Sequence, residues 1–585
     1  MRFRPTHRTD RRPLARPARL ALALAAGAAA LAAGCLPRQE EASTPRTPRD
    51  VSVPEYLEDT VGEVARFAGR EPLIVQGYGF VTGLDGTGTT AVPPGIRRRV
   101  LDMMHRKQVA EPERLLASRD TAVVSVFGQI PPGAREGERF DLGVRTIPGT
   151  ETTSLAGGFV LGCDLHRVRV ARGVEARSEP LGTGRGSIFV SPFAAEKEGV
   201  SAATATRQGR ILAGGRTLRP RQFRLVLLVP SVRTADQVVR LINARFPAAA
   251  EGARDAARLD LTVPQALRDE KTRFLELVGS LYMREMPGAR QQRVRLLLDT
   301  LRRHEDMDRV ALCLEAFGAS VAPQLYPLGD SSDTAVRFHA GRILAHLQDA
   351  RAVHVLEPIA TDDEAAQQEE AVEALGRLRS GLGLGVLSRA LHARSVRVRV
   401  AAWRAMVGLV PRTFLDRTFE GKFDLHVVAT DADPFVYVSR TGRAEIAIFG
   451  QVAVQPPILA ETRRVTVTAR PDQPRLHLIS RRHDRDIHLD AGLTVRSLVE
   501  TMAEPIHGDA QDPQQVTGLG LGYSDVVGLL HEMDRKEALA GPIVLQPLQY
   551  RMLGPTPHLR PIRPADQETK PVDPNVRPAE TRKGA

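Results

Sequence analysis

Aromatic residues are scarce in this chain: Phe, Trp and Tyr amount to 4% of 585 residues. Its cores must therefore be filled by Val, Leu, Ile and Ala, and an apolar fraction of 42% is enough for globular folding. Cysteine is nearly absent, with three residues at 35, 163 and 313. Cys163 and Cys313 are too far apart in sequence to make a disulfide framework and are expected as buried free thiols. Leu20 to Ala33 is an almost unbroken Leu/Ala/Gly run, yet it is short for a bilayer span. Nucleotide cradles are missing too: Thr82 stands where Gly77-x-Gly79 would need its third glycine, and no Gly-Lys-Ser/Thr follows. No nucleophile with a base, no marked carboxylate pair and no metal-ligand set stands out. The chain reads as a non-enzyme with no catalytic residue, no cofactor and no metal.

The length predicts three or four domains. A net charge of +12 and a pI near 10.1 favour polyanions, and nucleic acid would be the default partner in a cytoplasm. The first 34 residues argue against that compartment, and so against nucleic acid. Arginines at 2, 4, 8, 11, 12, 16 and 19 precede the Leu20 to Ala33 run, the pattern of an export signal. Leu31-Ala-Ala-Gly-Cys35 resembles the bacterial lipobox, which makes Cys35 the expected lipidation site. Residues 36 to 52, rich in Pro, Glu, Ser, Thr and Arg, read as a flexible tether beyond it.

The densest local signal is Leu73 to Thr90, with glycines at 77, 79, 83, 86 and 88 around Tyr78 and Phe80. It predicts a β-hairpin with a glycine-rich bend, so Gly77, Tyr78, Gly79, Gly83, Gly86 and Gly88 are structural turn residues and Asp85 is dispensable. A helix is expected over Ile96 to His105, and strands over Thr121 to Phe127, Arg139 to Ile147 and Phe223 to Val229. Gly182 to Gly186 reads as a flexible loop, and Thr234 as the cap of a helix reaching Asn243. After about Met286 the period changes. Leu325, Leu356 and Leu387 are spaced by 31 residues, as are Ala340, Ala371 and Ala402, and Leu344, Leu375 and Met406. Such a period predicts stacked helix pairs, with Arg290 to Gly318 as a degenerate first unit. His339, His346, His354 and His392 are expected on solvated helix faces. Strands resume after Pro411, and Tyr523 to Leu539 predicts a Ser-capped helix before a last strand at Ile543 to Leu545. Residues 551 to 585 read as a disordered, basic, Pro-rich tail.

The Leu73 to Thr90 stretch resembles the start of the flagellar basal-body P-ring protein family. Four more stretches follow that family's order: Ile130 to Asp141, Ser154 to Gly158, Gly209 to Gly214, and Thr441 to Pro456. The helices after Met286 resemble short HEAT-like repeats and have no counterpart in the family pattern. Together these resemblances imply a multidomain α+β protein: mostly antiparallel P-ring-like regions at 53–285 and 412–550, interrupted by an inserted all-α HEAT-like block at 286–411. The flanks are a lipoprotein signal at 1–34, the tether at 35–52 and the tail at 551–585.

The implied function is a structural subunit that self-associates into a periplasmic ring around the flagellar rod of the basal body. It would support motility, meet rod and L-ring proteins and peptidoglycan, and be held to a membrane by a lipid anchor. Two other readings stand beside it: a lipid-anchored HEAT-repeat scaffold for a protein partner, and a cell-wall-acting enzyme. The helical block is expected to project, so that replacing residues 290 to 410 by a linker would leave the flanking strands folded.

Overall fold

A computed structural model of the chain describes residues 54–548, apart from 172–173, 198, 200, 253–256, 285, 482–485 and 507–515. The signal at 1–34, Cys35, the tether and the tail at 551–585 lie outside the described residues.

The glycine-rich stretch forms one barrel strand in place of the expected hairpin. Leu73–Thr82 pairs with Ala122–Ile130, which arrives only after the helix Pro94–Arg106. Six antiparallel strands close into a barrel in the order Leu73–Thr82, Ala122–Ile130, Arg139–Thr146, Gln208–Thr217, Gly182–Ser187 and Phe159–Leu165. Successive strand residues face opposite sides. Val75, Gly77, Gly79 and Val81 therefore share the inward face, while Tyr78 and Phe80 face out, Phe80 being packed under the helix with Val100 and Met104. This corrects the turn assignment for Gly77, Tyr78 and Gly79.

The physical reason is space. A Cβ on Gly77 would stand 2.2 Å from the Asp164 carbonyl oxygen. A six-stranded barrel has a narrow interior, and glycine opposite large side chains is one way to fill it. The same reasoning corrects Gly182 to Gly186, which is a barrel strand rather than a loop. A Cβ on Gly184 would lie 2.6 Å from Leu142 and 2.8 Å from the Cys163 sulfur. Cys163 and Cys313 are free and buried, and burial pushes the Cys163 thiol up to about 12.

Beside the barrel, Ala65–Ala68, Phe223–Leu227, Arg258–Leu261 and Ala250–Gly252 form a separate four-stranded sheet. Its core includes Val238 and Ile242 of the helix Val232–Arg245 and Phe274 of Lys271–Gly279. Ser231, not Thr234, caps the former by accepting from the Thr234 N–H. Leu228 and Val229 lie beyond the strand and are exposed.

From Pro287 the chain is helical up to Leu409. Ala322–Gly329 with Thr334–His346, Arg351–Ala360 with Gln368–Leu375, and Leu384–Ala390 with Val396–Leu409 are three successive pairs. Eight of the nine residues that define the 31-residue spacing are fully buried, and Met406 nearly so. Cys313 stands 31 residues before Leu344 and is buried as well. His339 is buried rather than solvated, and burial and the nearby Arg342 push its pKa down to about 4. His354 and His392 are exposed.

The C-terminal region has two sheets. One runs Leu415–Phe419, Phe423–Val428, Glu445–Phe449, Phe435–Val438, Ile543–Leu545, with two parallel pairings. The other is an antiparallel meander from Ile458 to Gly492. The described architecture is thus α+β with mainly antiparallel sheets.

The five-stranded sheet is covered on both faces. Leu425, Ile446 and Ile448 meet Leu498 and Leu530 of the helices Val495–Ala503 and Tyr523–Arg535. Val428, Phe435, Tyr437, Ala447 and Phe449 share a core with the helix pairs. There Trp403 stands 5.6 Å from Tyr437 and 6.1 Å from Phe449, ring centre to ring centre. Arg399 is buried over the Phe435 ring and donates to the Asp433 carbonyl at 2.7 Å. The block also meets the N-terminal region, where Tyr56 donates to Asp306 at 2.7 Å and Arg377, after the middle pair, donates to Glu270 at 2.7 Å. The expectation of a projecting block is corrected: it is a packed layer, because its last pair supplies one face of the C-terminal sheet's core.

Replacing residues 290–410 by a Gly/Ser linker should therefore give an insoluble or molten chain. Fully exposing each of Phe435, Phe449 and Val428 forfeits about 1.5–3 kcal/mol. Solubility and near-ultraviolet circular dichroism check this, and a soluble product with native β signal would contradict it.

Candidate functional site

Residues 83–88 leave the barrel in a loop held from several sides. Gly83 and Gly86 have φ of +78° and +80°, and Asp85 has φ of +45°. The Leu84 N–H donates to the Asp120 carbonyl at 3.0 Å and the Gly86 N–H to the Asp120 carboxylate at 2.7 Å. The Gly88 N–H donates to the Arg119 carbonyl at 2.8 Å, and a Cβ there would sit 2.0 Å from the Thr121 carbonyl oxygen. Thr87 ties the loop to the Ser154–Gly158 stretch, its hydroxyl donating to the Ser154 carbonyl at 3.0 Å. Leu84 and Leu155 are both fully buried. The loop is stiff, and it carries the Asp85 carboxylate at its tip.

That carboxylate meets the C-terminal region. Arg464, in the turn between Ile458–Glu461 and Val465–Ala469, donates to Asp85 from Nε at 3.1 Å and Nη2 at 2.7 Å, and to the Gly83 carbonyl at 3.3 Å. Its Nη1 lies 3.5 Å from Asp525. Arg463 donates to the Asp85 carbonyl. Gly157, with φ of +76°, lies against the Arg464 guanidinium, and a Cβ there would clash at 2.5 Å. Asp525 sits in the first turn of the helix Tyr523–Arg535 and accepts from the Gly522 N–H at 3.2 Å. This corrects the expected Ser cap: Gly522 is the capping position, and Ser524 instead accepts from the Val190 N–H at 3.4 Å. Burial pushes the Asp525 carboxyl above the usual carboxylate range, against the pull of Arg464.

A second polar contact repeats the logic. The Asp141 carboxylate accepts from the Ala213 N–H at 2.7 Å and from the Gly442 N–H at 2.9 Å and 3.0 Å. Ala213 has φ of +48°, at an irregularity in the pairing with Arg139–Thr146. Burial pushes Asp141 up as well, and these N–H donors oppose it. An apolar contact joins the same two regions. Phe189 and Phe193 join the C-terminal core, 5.2 Å from the Tyr523 ring and 4.5 Å from the His531 ring. Arg139, Arg185, Lys422, Arg443 and Asp424 line a neighbouring cleft of about 300 Å³.

Residues from all five stretches singled out in sequence thus meet along one joint: the 83–88 loop, Asp141, Gly157, Ala213 and Gly442. Gly77, Tyr78 and Gly79 stay in the barrel wall. Sequence reasoning missed Arg464, Arg463 and Asp525, and it misread Asp85. Nothing in a lone carboxylate within a glycine-rich stretch reveals a partner 379 residues away. The arrangement can hold two bodies in fixed orientation, and it offers no nucleophile beside a base.

Residues 60–295 match the family described as Flagellar P-ring protein. Among curated relatives named Flagellar P-ring protein, the one from Thermotoga maritima is 30% identical over 38% of this chain and 66% of its own length. The one from Anaeromyxobacter dehalogenans is 30% identical over 38% of this chain and 59% of its own length. The Caulobacter vibrioides relative is 30% identical over 34% of this chain and 55% of its own length. The chain spans just over half to about two thirds of these relatives.

Arg464→Met should destabilise the full chain by about 3 kcal/mol, the low end for unpairing a buried charge, whereas Asp85→Ala, at the more exposed end, should cost about 1 kcal/mol. In the loop, Gly86→Ala should cost about 1–2 kcal/mol of left-handed strain, because its Cβ would meet nothing within 4 Å. Gly88→Ala should prevent folding. Chemical denaturation of the four variants gives the order, and a tolerated Gly88→Ala would refute it.

Proposed function

We propose, on the premise that this chain belongs through residues 60–295 to the flagellar P-ring protein family, that it is a structural subunit of a periplasmic ring around the flagellar rod. What carries this reading is the convergence of the five family-like stretches on one stiff joint. A ring subunit needs a fixed shape, since heterologous contacts close into a ring only at one rotation angle, and two bodies free to hinge would not repeat that angle. The stretch of the C-terminal region that resembles the family, Thr441 to Pro456, supplies Gly442 to that joint, and the helix from Tyr523 supplies Asp525.

Partners follow from the same premise: further copies of this chain, rod and L-ring proteins, and peptidoglycan, whose anionic groups suit a chain of net charge +12. Cys35 is the proposed lipid anchor. None of the described helices is long and apolar enough to cross a membrane. The helix pairs beyond the matched stretch we read as HEAT-like repeats, whose stacked outer surface would take a protein partner outside the minimal ring.

Electron microscopy of purified basal bodies carrying a tagged copy should place the tag in a ring around the rod, and a strain lacking the protein should lose motility. Label away from basal bodies with intact motility would favour the lipid-anchored scaffold instead. Two acyl chains give firm anchoring at about 0.8 kcal/mol per buried methylene. Cys35→Ser should therefore move the chain from the membrane to the soluble periplasmic fraction, and unchanged fractionation would rule out this anchor.

A further inference from the structure

The five-stranded sheet holds an unusual trio on the face turned to the helix pairs. Phe423–Val428 and Glu445–Phe449 run parallel, with Asp424 directly opposite Glu445. His426, two residues on, shares their side of the sheet. One ligand-capable atom from each of Asp424, His426 and Glu445 lies within 4.8 Å of the other two. Carboxylates facing each other across a strand pair repel unless something cationic stands between them. Arg443 reaches Asp424 only at 3.4 Å, from a side chain that is 78% exposed, and Arg404, whose charge favours the Glu445 carboxylate against its burial, is bonded to the Tyr437 hydroxyl at 2.6 Å rather than to either carboxylate.

His426 makes the stronger case. It is 3% exposed, its ring stands edge-on to Trp403 at 5.3 Å, and neither ring nitrogen has a hydrogen-bond partner. Leaving buried polar atoms unpaired costs about 1–3 kcal/mol each, and folded proteins seldom tolerate it without a reason.

We propose that Asp424, His426 and Glu445 form a binding site for a divalent cation of the zinc class. One imidazole with two carboxylates suits zinc and its transition-metal neighbours, whereas calcium and magnesium take oxygen ligands throughout. Bond lengths near 2.0–2.2 Å require the ligand atoms to close to roughly 3–3.6 Å, a side-chain movement of roughly 1 Å. Solvent or a further group would complete the coordination. Asp424 also lines the cleft between the barrel and the sheet. The ion would relieve the carboxylate repulsion and give the buried imidazole its missing partner. It would also pin two strands beneath Trp403, where the helix pairs join the sheet. The spacing 424, 426, 445 matches no local metal motif, so a search for such motifs passes over it.

The test uses the tag-free full chain, stripped with chelator, incubated with Zn²⁺ and desalted. One zinc per chain by elemental analysis and a raised melting temperature are expected. His426→Phe fills the imidazole's space and should abolish both. Glu445→Gln keeps the shape and should weaken binding by at least about tenfold, which decides the matter if the Phe variant misfolds. His477 and His488 form an exposed pair 3.3 Å apart, so His477→Ala with His488→Ala is the control and should retain the ion. The proposal is overturned if the wild-type chain retains no zinc, if Glu445→Gln binds as tightly as wild type, or if the ion leaves with the exposed pair.

Discussion

Arg464 is held between two carboxylates that belong to different parts of the molecule, Asp85 at the tip of a barrel loop and Asp525 in the first turn of a C-terminal helix. A buried ion pair seldom adds net stability over a well-packed apolar contact. It does specify position, because a guanidinium fork satisfies its partners in few orientations. Much of the surrounding structure serves that position. Gly157 makes room for the fork, Asp120 and Arg119 hold the loop through its N–H groups, and Gly522 with Asp525 starts the helix at the right place. Asp141, bonded to Ala213 and Gly442, fixes a second point, and two points together with the packing of Phe189 and Phe193 into the C-terminal core resist rotation.

The barrel solves a packing problem set by composition. With 4% aromatics, few rings are available, and each needs a place to go. Phe127 lies where a Cβ on Gly143 would stand 2.3 Å away, and Phe140 crowds the Cβ positions of Gly128 and Gly215 at 2.8 Å and 2.7 Å. Glycine beside Phe on neighbouring strands keeps the wall thin enough to close with six strands. Glycine on a strand weakens it by itself, so the closed ladder of pairings must make up the difference.

What could be read from sequence followed the range of the interactions. The 31-residue spacing located buried positions in three helix pairs, because a period samples every residue of a face. The strands at Ala122–Ile130, Arg139–Thr146 and Phe223–Leu227 were legible from their own composition for the same local reason. Gly77 and Gly79 were misread because a turn and a barrel interior demand the same residue, and the alternation with Tyr78 and Phe80 was the available clue. Asp85 looked idle and the helix block looked separable for one shared cause: their partners, Arg464 in one case and Phe435, Tyr437 and Phe449 in the other, are distant in sequence. Composition and periodicity carry no information about such pairs.

Asp85 and Arg464 couple the barrel to the C-terminal region as one body. A double-mutant cycle on the full chain, with Asp85→Ala, Arg464→Met and their combination measured by chemical denaturation, tests it most directly. A coupling energy of about 1–3 kcal/mol is expected, whereas effects that add to within about 0.5 kcal/mol would mean that the two regions are not joined through this pair.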